Sequence, residues 1–74
     1  MEEVRAPTAE AALRRILTTA VRERVSDVHI EPQESFIRVR FRRDGILYDR
    51  FTMMLAMKKP ISVRTKLSLI HISE

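Results

Sequence analysis

The first regular pattern along the chain is an apolar stripe with helical spacing. Apolar residues recur at steps of three and four positions from Ala9 to Val21, as they do on one face of an α-helix. Thr8, which follows Pro7, is typical of an N-cap because its hydroxyl can accept a hydrogen bond from the first turn. The pattern therefore predicts a helix over residues 9–24, with its arginines on a solvated face.

Beyond this helix the pattern changes from helical spacing to strict alternation. Residues 27–31 and 36–42 alternate polar and apolar side chains, which is typical of half-buried strands. Asp44-Gly45 favours a type I′ hairpin turn, because both central positions of that turn need a positive φ. A third alternating segment, residues 46–51, follows the turn. The three segments predict a three-stranded antiparallel meander.

The register of the meander can be argued from loop length and charge. A four-residue loop at 32–35 places Asp27 beside Arg40 on the polar face, so that opposite charges meet. A two-residue loop in the second hairpin places Arg40 beside Asp49. A three-residue loop there would instead bring two arginines together, which is unfavourable. Both choices leave the apolar side chains on the other face.

The two ends of the chain carry weaker patterns. Residues 1–8 are expected to be a flexible start, and residues 52–60 are expected to be irregular. Pro60 suits the first position of a second helix, because its missing N–H is not needed there. Residues 61–67 can continue this helix. The predicted fold class is α+β, with an N-terminal helix, a three-stranded antiparallel meander and a C-terminal helix.

Composition narrows the chemistry that this chain can perform. The 74 residues are 45% hydrophobic and 32% charged, which is a globular balance for one small domain or a piece of a larger one. Gly45 is the single glycine, and glycine-rich phosphate loops need at least two. The chain contains no cysteine and only two histidines, so neither a disulfide nor a zinc site is expected. No apolar run approaches the roughly 20 residues of a membrane span.

Charge is unevenly distributed along the chain. Residues 35–66 carry nine basic and two acidic groups, whereas residues 1–34 carry five basic and seven acidic groups. Arg38, Arg40 and Arg42 project from one face of the second strand at a spacing of about 7 Å. Such a row suits phosphate oxygens, because each guanidinium can donate two parallel hydrogen bonds. An ion-paired, solvated face is an equal alternative. Nucleic acid is a less favoured ligand, because no aromatic side chains interleave with the arginines.

His29 is flanked on its strand face by Asp27 and Glu31. This trio has the spacing of a metal site or an acid–base group, but the sequence supplies neither a fourth ligand nor a nucleophile. A charged strand face bridged to Arg38 and Arg40 is the preferred interpretation. No catalytic residue and no metal ligand is therefore expected.

Two sequence strings carry a family resemblance. Ser-Asp-Val-His-Ile-Glu-Pro at residues 26–32 and Arg-Val-Arg-Phe-Arg-Arg-Asp-Gly-Ile-Leu-Tyr at residues 38–48 closely resemble the ATPases of type II secretion and type IV pilus assembly. In that family both strings belong to the small N-terminal domain that precedes the ATPase domain. Residues 63–69 resemble a later family string more weakly. Asp27, His29, Glu31, Asp44 and Gly45 are members of these motifs, to which the resemblance assigns a structural role.

The resemblance implies a PAS-like small domain over about residues 9–67. It implies that Arg40, and next Arg42, approach nucleotide phosphates held by the ATPase domain of the same or a neighbouring chain. The family's Walker motifs do not occur here, so this fragment is expected to be no enzyme and to hold no cofactor. Residues 68–74 are expected to be a non-native tail, because the helical period and the family string both fail at Ser68.

The parent protein implied by the resemblance is a hexameric, ATP- and Mg-dependent motor. It would be cytoplasmic, peripheral to the inner membrane, and would act on the inner-membrane secretion platform. A free-standing basic module that binds nucleic acid through the arginine-rich strand is the alternative. A purely structural interaction domain, with every arginine ion-paired, is a third possibility.

Overall fold

The computed structural model describes residues 1–64 and 70–72 of the chain. Within that part, five strands form one mixed sheet in the order β1-β4-β3-β2-β5, and two α-helices pack on one face of it. The strands are β1 (Glu2–Glu3), β2 (Asp27–Pro32), β3 (Phe36–Arg43), β4 (Ile46–Met54) and β5 (Ile70–Ile72), and the helices are α1 (Ala9–Arg22) and α2 (Lys58–Arg64).

The α+β class is confirmed, but the three-stranded meander is only part of the sheet. β1 pairs in parallel with β4, and β5 pairs in parallel with β2, so the antiparallel strands β2, β3 and β4 gain a neighbour at each edge. Neither addition has an alternating pattern long enough to be visible in the sequence. The likeness to a PAS module stays a prediction.

Helix α1 begins as the sequence predicts. The Thr8 hydroxyl accepts a hydrogen bond from the Ala11 N–H at 3.1 Å, which satisfies one of the donors left unpaired at the helix start. The helix ends at Arg22, two residues earlier than predicted, because Arg24 adopts a left-handed conformation with φ of 57°. A residue in this conformation commonly terminates a helix.

The core lies between α1 and the sheet, and its strand members occupy the predicted apolar positions. The predicted apolar stripe of α1 is wrong at Val21, which is 72% exposed although the spacing assigns it to the buried face. It lies in the last turn of α1, at the edge of the buried face. The buried apolar side chains from the helices and strands are Ala9, Ala12, Leu13, Ile16, Ala20, Val28, Ile30, Ile37, Val39, Phe41, Phe51, Met53 and Ile61.

The predicted register of the β2–β3 hairpin is wrong by two residues. Asp27 lies opposite Arg42 rather than Arg40, and Pro32 lies opposite Ile37. The turn is shorter than predicted, because the Gln33 N–H donates to the Phe36 carbonyl at 2.7 Å and extends the ladder. A shift by two preserves the face of every side chain, since the strand period is two.

The β3–β4 hairpin has the predicted register near its turn. Arg40 lies opposite Asp49, and Asp44 and Gly45 have φ values of 52° and 80°, as a type I′ turn requires. Farther from the turn the register shifts between Val39 and Arg40, which leaves Arg50 of β4 as an extra residue. This is a β-bulge, which changes the direction of the strand's side chains.

The C-terminal part differs from the prediction at its start. Helix α2 begins at Lys58, directly after a 3₁₀ turn at Leu55–Met57, so Pro60 is its third residue. The predicted continuation of this helix to residue 67 lies outside the described residues beyond Arg64. Residues 70–72 form β5, whereas 68, 69, 73 and 74 also lie outside; the non-native origin of this tail stays a prediction.

Candidate functional site on the outer face of the sheet

The sheet face opposite the helices carries most of the candidate residues, and we call it the outer face. Its polar side chains alternate along β2 and β3 with buried core residues, so those of β2 and β3 are held at the surface with their stems partly covered. These side chains are Asp27, His29 and Glu31 of β2, Arg38, Arg40 and Arg42 of β3, and Asp49 of β4.

Arg40 occupies the middle of the outer face and is held by two carboxylates. Its Nη1 lies 3.4 Å from Glu31 Oε1, and its Nε lies 3.4 Å from Asp49 Oδ1. The Asp49 contact agrees with the predicted register, whereas Glu31 reaches Arg40 diagonally from β2. The Arg40 side chain is 28% exposed, so these ion pairs are partly shielded from water.

Arg42 lies near the hairpin turn and is also paired. Its Nε lies 3.2 Å from Asp27 Oδ2, and its Nη1 donates to the Gly45 carbonyl at 3.1 Å. The prediction that Asp27 lies beside Arg40 is therefore wrong, because the shorter β2–β3 turn moves Asp27 towards Arg42. The second contact also gives Gly45 a role in positioning Arg42.

Arg38 differs from the other two arginines of the row. It makes no ion pair with any described residue, and its Nε is buried without a hydrogen-bond partner there. Across the ladder it lies opposite Glu31 and Thr52, but the Glu31 carboxylate is bound to Arg40. Buried donors are normally satisfied by protein, water or ligand. Arg40 Nε also has no hydrogen bond in the described part, but among the three arginines of the row Arg38 is the one without an ion pair there.

The two acidic neighbours of His29 form ion pairs with arginines of β3. Asp27 pairs with Arg42 and Glu31 pairs with Arg40, so the carboxylates of the trio bind guanidiniums. His29 itself is half-buried and lies opposite Arg40, whereas the predicted register places it beside Arg38. Among residues 1–64 and 70–72, no three side chains of the types that bind metals are grouped together.

The charge of the outer face is close to balanced. Three arginines of β3 face three carboxylates, Asp27, Glu31 and Asp49, across the ladders. The net positive charge expected from the sequence is therefore reduced on this face, which weakens the nucleic-acid alternative. An anion that approaches the face can use the unused donors of Arg38, or can replace a carboxylate on Arg40 or Arg42.

A second polar cluster, absent from the sequence predictions, joins helix α1 to the sheet. Glu23, the C-cap residue of α1, accepts hydrogen bonds from the Tyr48 hydroxyl and from Arg50 Nε, both at 2.9 Å. We call Glu23, Tyr48 and Arg50 the helix-end cluster. The bulge is what makes it possible, because the extra residue Arg50 leaves the regular alternation of β4.

The helix-end cluster perturbs the ionisation of its members. The hydrogen bond from Arg50 lowers the pKa of Glu23 below its ordinary value, against the opposing effect of burial. Burial, followed by the hydrogen bond to Glu23, raises the pKa of Tyr48. The sequence carries one trace of the bulge, the odd spacing of two aromatic residues in β4, Tyr48 and Phe51, which are three positions apart. In the structure Phe41 contacts both rings edge-on, so both lie on the core face. A regular strand cannot place two such residues on one face.

The family is shown by comparison with known proteins. The model of the Type II/IV secretion system protein family matches residues 2–71. Type IV pilus assembly ATPase PilB of Myxococcus xanthus (strain DK1622) is 40% identical over 52 residues, which cover 70% of this chain and 9% of that protein. Protein transport protein HofB homolog of Escherichia coli (strain K12) is 44% identical over 48 residues, which cover 65% and 10%.

A third relative shares a shorter segment. Type II secretion system protein E of Klebsiella pneumoniae is 50% identical over 32 residues, which cover 43% of this chain and 6% of that protein. The chain thus spans a tenth or less of the length of these curated relatives. No solved structure matches the chain. In the described part of the fold, no helix has the length and apolar character needed to cross a membrane. Since the family model covers nearly all of the sequence, the chain belongs to the Type II/IV secretion system protein family.

Proposed function

We propose that this chain is the regulatory, nucleotide-contacting small domain of a hexameric ATPase that powers type II secretion or type IV pilus assembly. The observation that carries the proposal is the arginine row of β3, held half-exposed on the outer face in a member of this family. One of the relatives bears the name type IV pilus assembly ATPase, and another bears the name type II secretion system protein. Because the chain spans so little of them, the catalytic machinery belongs to other parts of such a protein.

The three arginines of the row differ in how readily they could bind a phosphate, because they differ in their existing ion pairs. Arg38 can bind a phosphate oxygen without losing an existing ion pair among the described residues, so we place it first. Arg40 and Arg42 already bind carboxylates, which would compete with the phosphate for each guanidinium. This ranking differs from the sequence-based expectation, in which Arg40 comes first and Arg42 second. The change follows from the ion pairs, which only the fold specifies.

The chemistry proposed for the row is electrostatic. ATP and Mg²⁺ would be bound by the ATPase domain of the same or a neighbouring chain, and the row would bring guanidiniums to the phosphate oxygens. A cation that meets the charge developing on a transferred phosphoryl group contributes factors of about 10³ or more to the rate in phosphoryl-transfer enzymes. The chain itself would then supply a contact rather than a catalytic site.

The proposed cellular setting follows from the same family membership. The complete motor would work in the cytoplasm at the inner membrane, and the ATPase domain and the inner-membrane platform would be its partners. Domain motion would couple the row to hydrolysis: the row would contact phosphate when the small domain closes on the ATPase domain, and would withdraw when it opens.

The test is ATP turnover by a complete ATPase that contains this domain. We expect Arg38→Ala and Arg40→Ala to lower kcat at saturating ATP by about tenfold or more. Arg43→Ala is the matched control, because Arg43 lies on the same strand but is exposed beside the turn. If turnover is unchanged in both row variants, the arginine row has no part in the reaction and the proposal is wrong.

A further inference from the structure

The N-terminal strand is fixed by a carboxylate held between two arginines. Glu2 of β1 pairs with Arg15 of α1 and with Arg50 of β4, whose Nη1 lies 3.3 Å away. Both guanidiniums also lie over the ring of Phe51, at 5.8 Å for Arg15 and 4.4 Å for Arg50. Two cations that converge on one ring repel each other, and an anion between them offsets this repulsion. The pair is therefore an anion site, which the chain's own Glu2 occupies.

Two further contacts define the shape of the segment that fits there. The Val4 side chain is only 4% exposed and belongs to the core, and its N–H donates to the Thr52 carbonyl at 2.8 Å. Glu3, between the two anchors, instead pairs with the neighbouring and highly exposed Arg5. The site thus recognises an extended segment with an acidic residue followed, two positions later, by an aliphatic one.

The strand that supplies these contacts covers little of the edge on which it lies. β4 has nine residues, and β1 pairs with two of them, Phe51 and Thr52. Among the described residues, no other strand pairs with this edge of β4. Unpaired N–H and C=O groups along a strand edge are a template for a further strand. In the parallel register of β1, a segment that extends in the N-terminal direction past the position of Glu2 would lie beside residues 46–50 of β4 and gain hydrogen bonds that β1 does not make.

We propose that the β1-facing edge of β4, together with Arg15 and Arg50, is a docking site for an extended acidic segment of a partner protein. The segment adds as a parallel strand and replaces residues 2–4, with its carboxylate between the two guanidiniums and its aliphatic side chain in the position of Val4. Residues 2–4 act as a tethered competitor, because a covalently attached segment has a high effective concentration. This site is separate from the outer face and does not depend on nucleotide contact.

The test uses the complete 74-residue chain, isotope-labelled, and a synthetic acidic peptide. The peptide ends with the Glu-Glu-Val sequence of residues 2–4, and alternating valine and glutamate precede it, because residues 46–50 of β4 lie on the N-terminal side of the parallel β1 register. We expect it to shift the amide resonances of β4 around Thr52. Glu2→Gln in the chain weakens the competitor, so the peptide should bind about fivefold more tightly, the upper end of the effect of one half-exposed ion pair.

Two further variants separate docking from nonspecific attraction. Glu3→Gln removes the same charge one residue away and should leave the affinity within about twofold. Arg15→Gln, introduced into the Glu2→Gln chain, should weaken the peptide about fivefold, because only the peptide then uses Arg15. Equal affinities for the Glu2 and Glu3 variants, no effect of Arg15→Gln, or shifts confined to β2 and β3 would each overturn the proposal.

Discussion

Arg50 Nη2 lies 2.8 Å from Glu23 Oε2, so the extra residue of the β4 bulge binds the residue that ends helix α1. Both side chains are about one quarter exposed. The pair therefore joins the end of α1 to β4 at a partly exposed position. Because the same guanidinium also binds Glu2, this one side chain connects α1, β4 and β1.

Glu23→Gln tests the contribution of this pair to stability. We expect a loss of about 1–2 kcal/mol in the free energy of unfolding at neutral pH, because a charge-assisted hydrogen bond becomes a neutral one. The pKa of Glu23 is lowered in the fold, so its stabilisation is complete above the ordinary value of 4.5 and is lost as the pH falls below it. The variant should lose less stability than the natural chain over that acidic range.

Urea unfolding at a series of pH values measures both effects. Glu34→Gln is the control, because Glu34 is exposed in the β2–β3 turn. Parallel acid profiles for the natural chain and Glu23→Gln would show that the pair does not stabilise the fold.

Tyr48→Phe tests the other hydrogen bond of the helix-end cluster. Removal of the hydroxyl should cost about 1 kcal/mol. The pKa of Tyr48 is raised in the fold, so its contribution is fully present below the ordinary value of 10 and is lost as the pH rises through the raised value. Tyr48 is the single tyrosine of the chain, so phenolate absorbance reports its titration directly. Titration of the folded chain at the ordinary value would contradict this prediction.

Alanine variants of Arg38 and Arg40 test which of the two arginines stabilises the isolated fold. In the isolated chain, Arg40→Ala should cost about 1 kcal/mol, because it leaves the half-buried Glu31 without its ion pair. Arg38→Ala should change stability by less than about 0.5 kcal/mol, because Arg38 has no ion pair among the described residues. Thermal unfolding gives both values. A larger cost for Arg38 than for Arg40 would mean that Arg38 has a structural role.

Gly45→Ala tests the hairpin turn. We expect a loss of about 1 kcal/mol, because an L-residue is strained at a φ of 80°. No atom lies within 4 Å of the added Cβ, so the cost arises from backbone conformation alone. Asp44→Asn is the matched control and should change stability by less than about 0.5 kcal/mol, since asparagine favours the same turn position. Equal stabilities of the Gly45→Ala and natural chains would exclude the assigned turn.

Truncation after Leu67 tests the predicted domain boundary. Every buried residue identified in the described part lies between Val4 and Ile61, so the core survives the truncation. We expect the shortened chain to unfold cooperatively and to lose less than about 2 kcal/mol, the contribution of the few hydrogen bonds of β5. Circular dichroism during urea unfolding is the measurement. A chain without a cooperative transition would show that residues 68–74 are integral to the domain.

The elements that local chemistry specifies could be predicted from the sequence. The start of α1 follows from its apolar spacing and from the hydroxyl of Thr8, and the second hairpin follows from Asp44-Gly45. The faces of β2 and β3 follow from alternation. These features depend on residues close together in the chain, where backbone preferences and side-chain period act directly.

The pairing of the outer face could be predicted only in part. Two registers of the β2–β3 hairpin that differ by two residues place the same side chains on the same faces, so the hydrophobic pattern cannot distinguish them. The turn closed by Gln33 and Phe36 decides between them, and with it whether Asp27 binds Arg40 or Arg42.

The sequence by itself determined the helix, the hairpins, the inward and outward positions and the resemblance to secretion ATPases. The tertiary structure decided the bulge at Arg50, the parallel edge strands and the contacts that Glu23 and Glu2 make with distant residues. The physical reason is the range of the interactions. A side chain's period and backbone preference act over a few residues, whereas these ion pairs join positions tens of residues apart and form only after the core brings α1 onto the sheet.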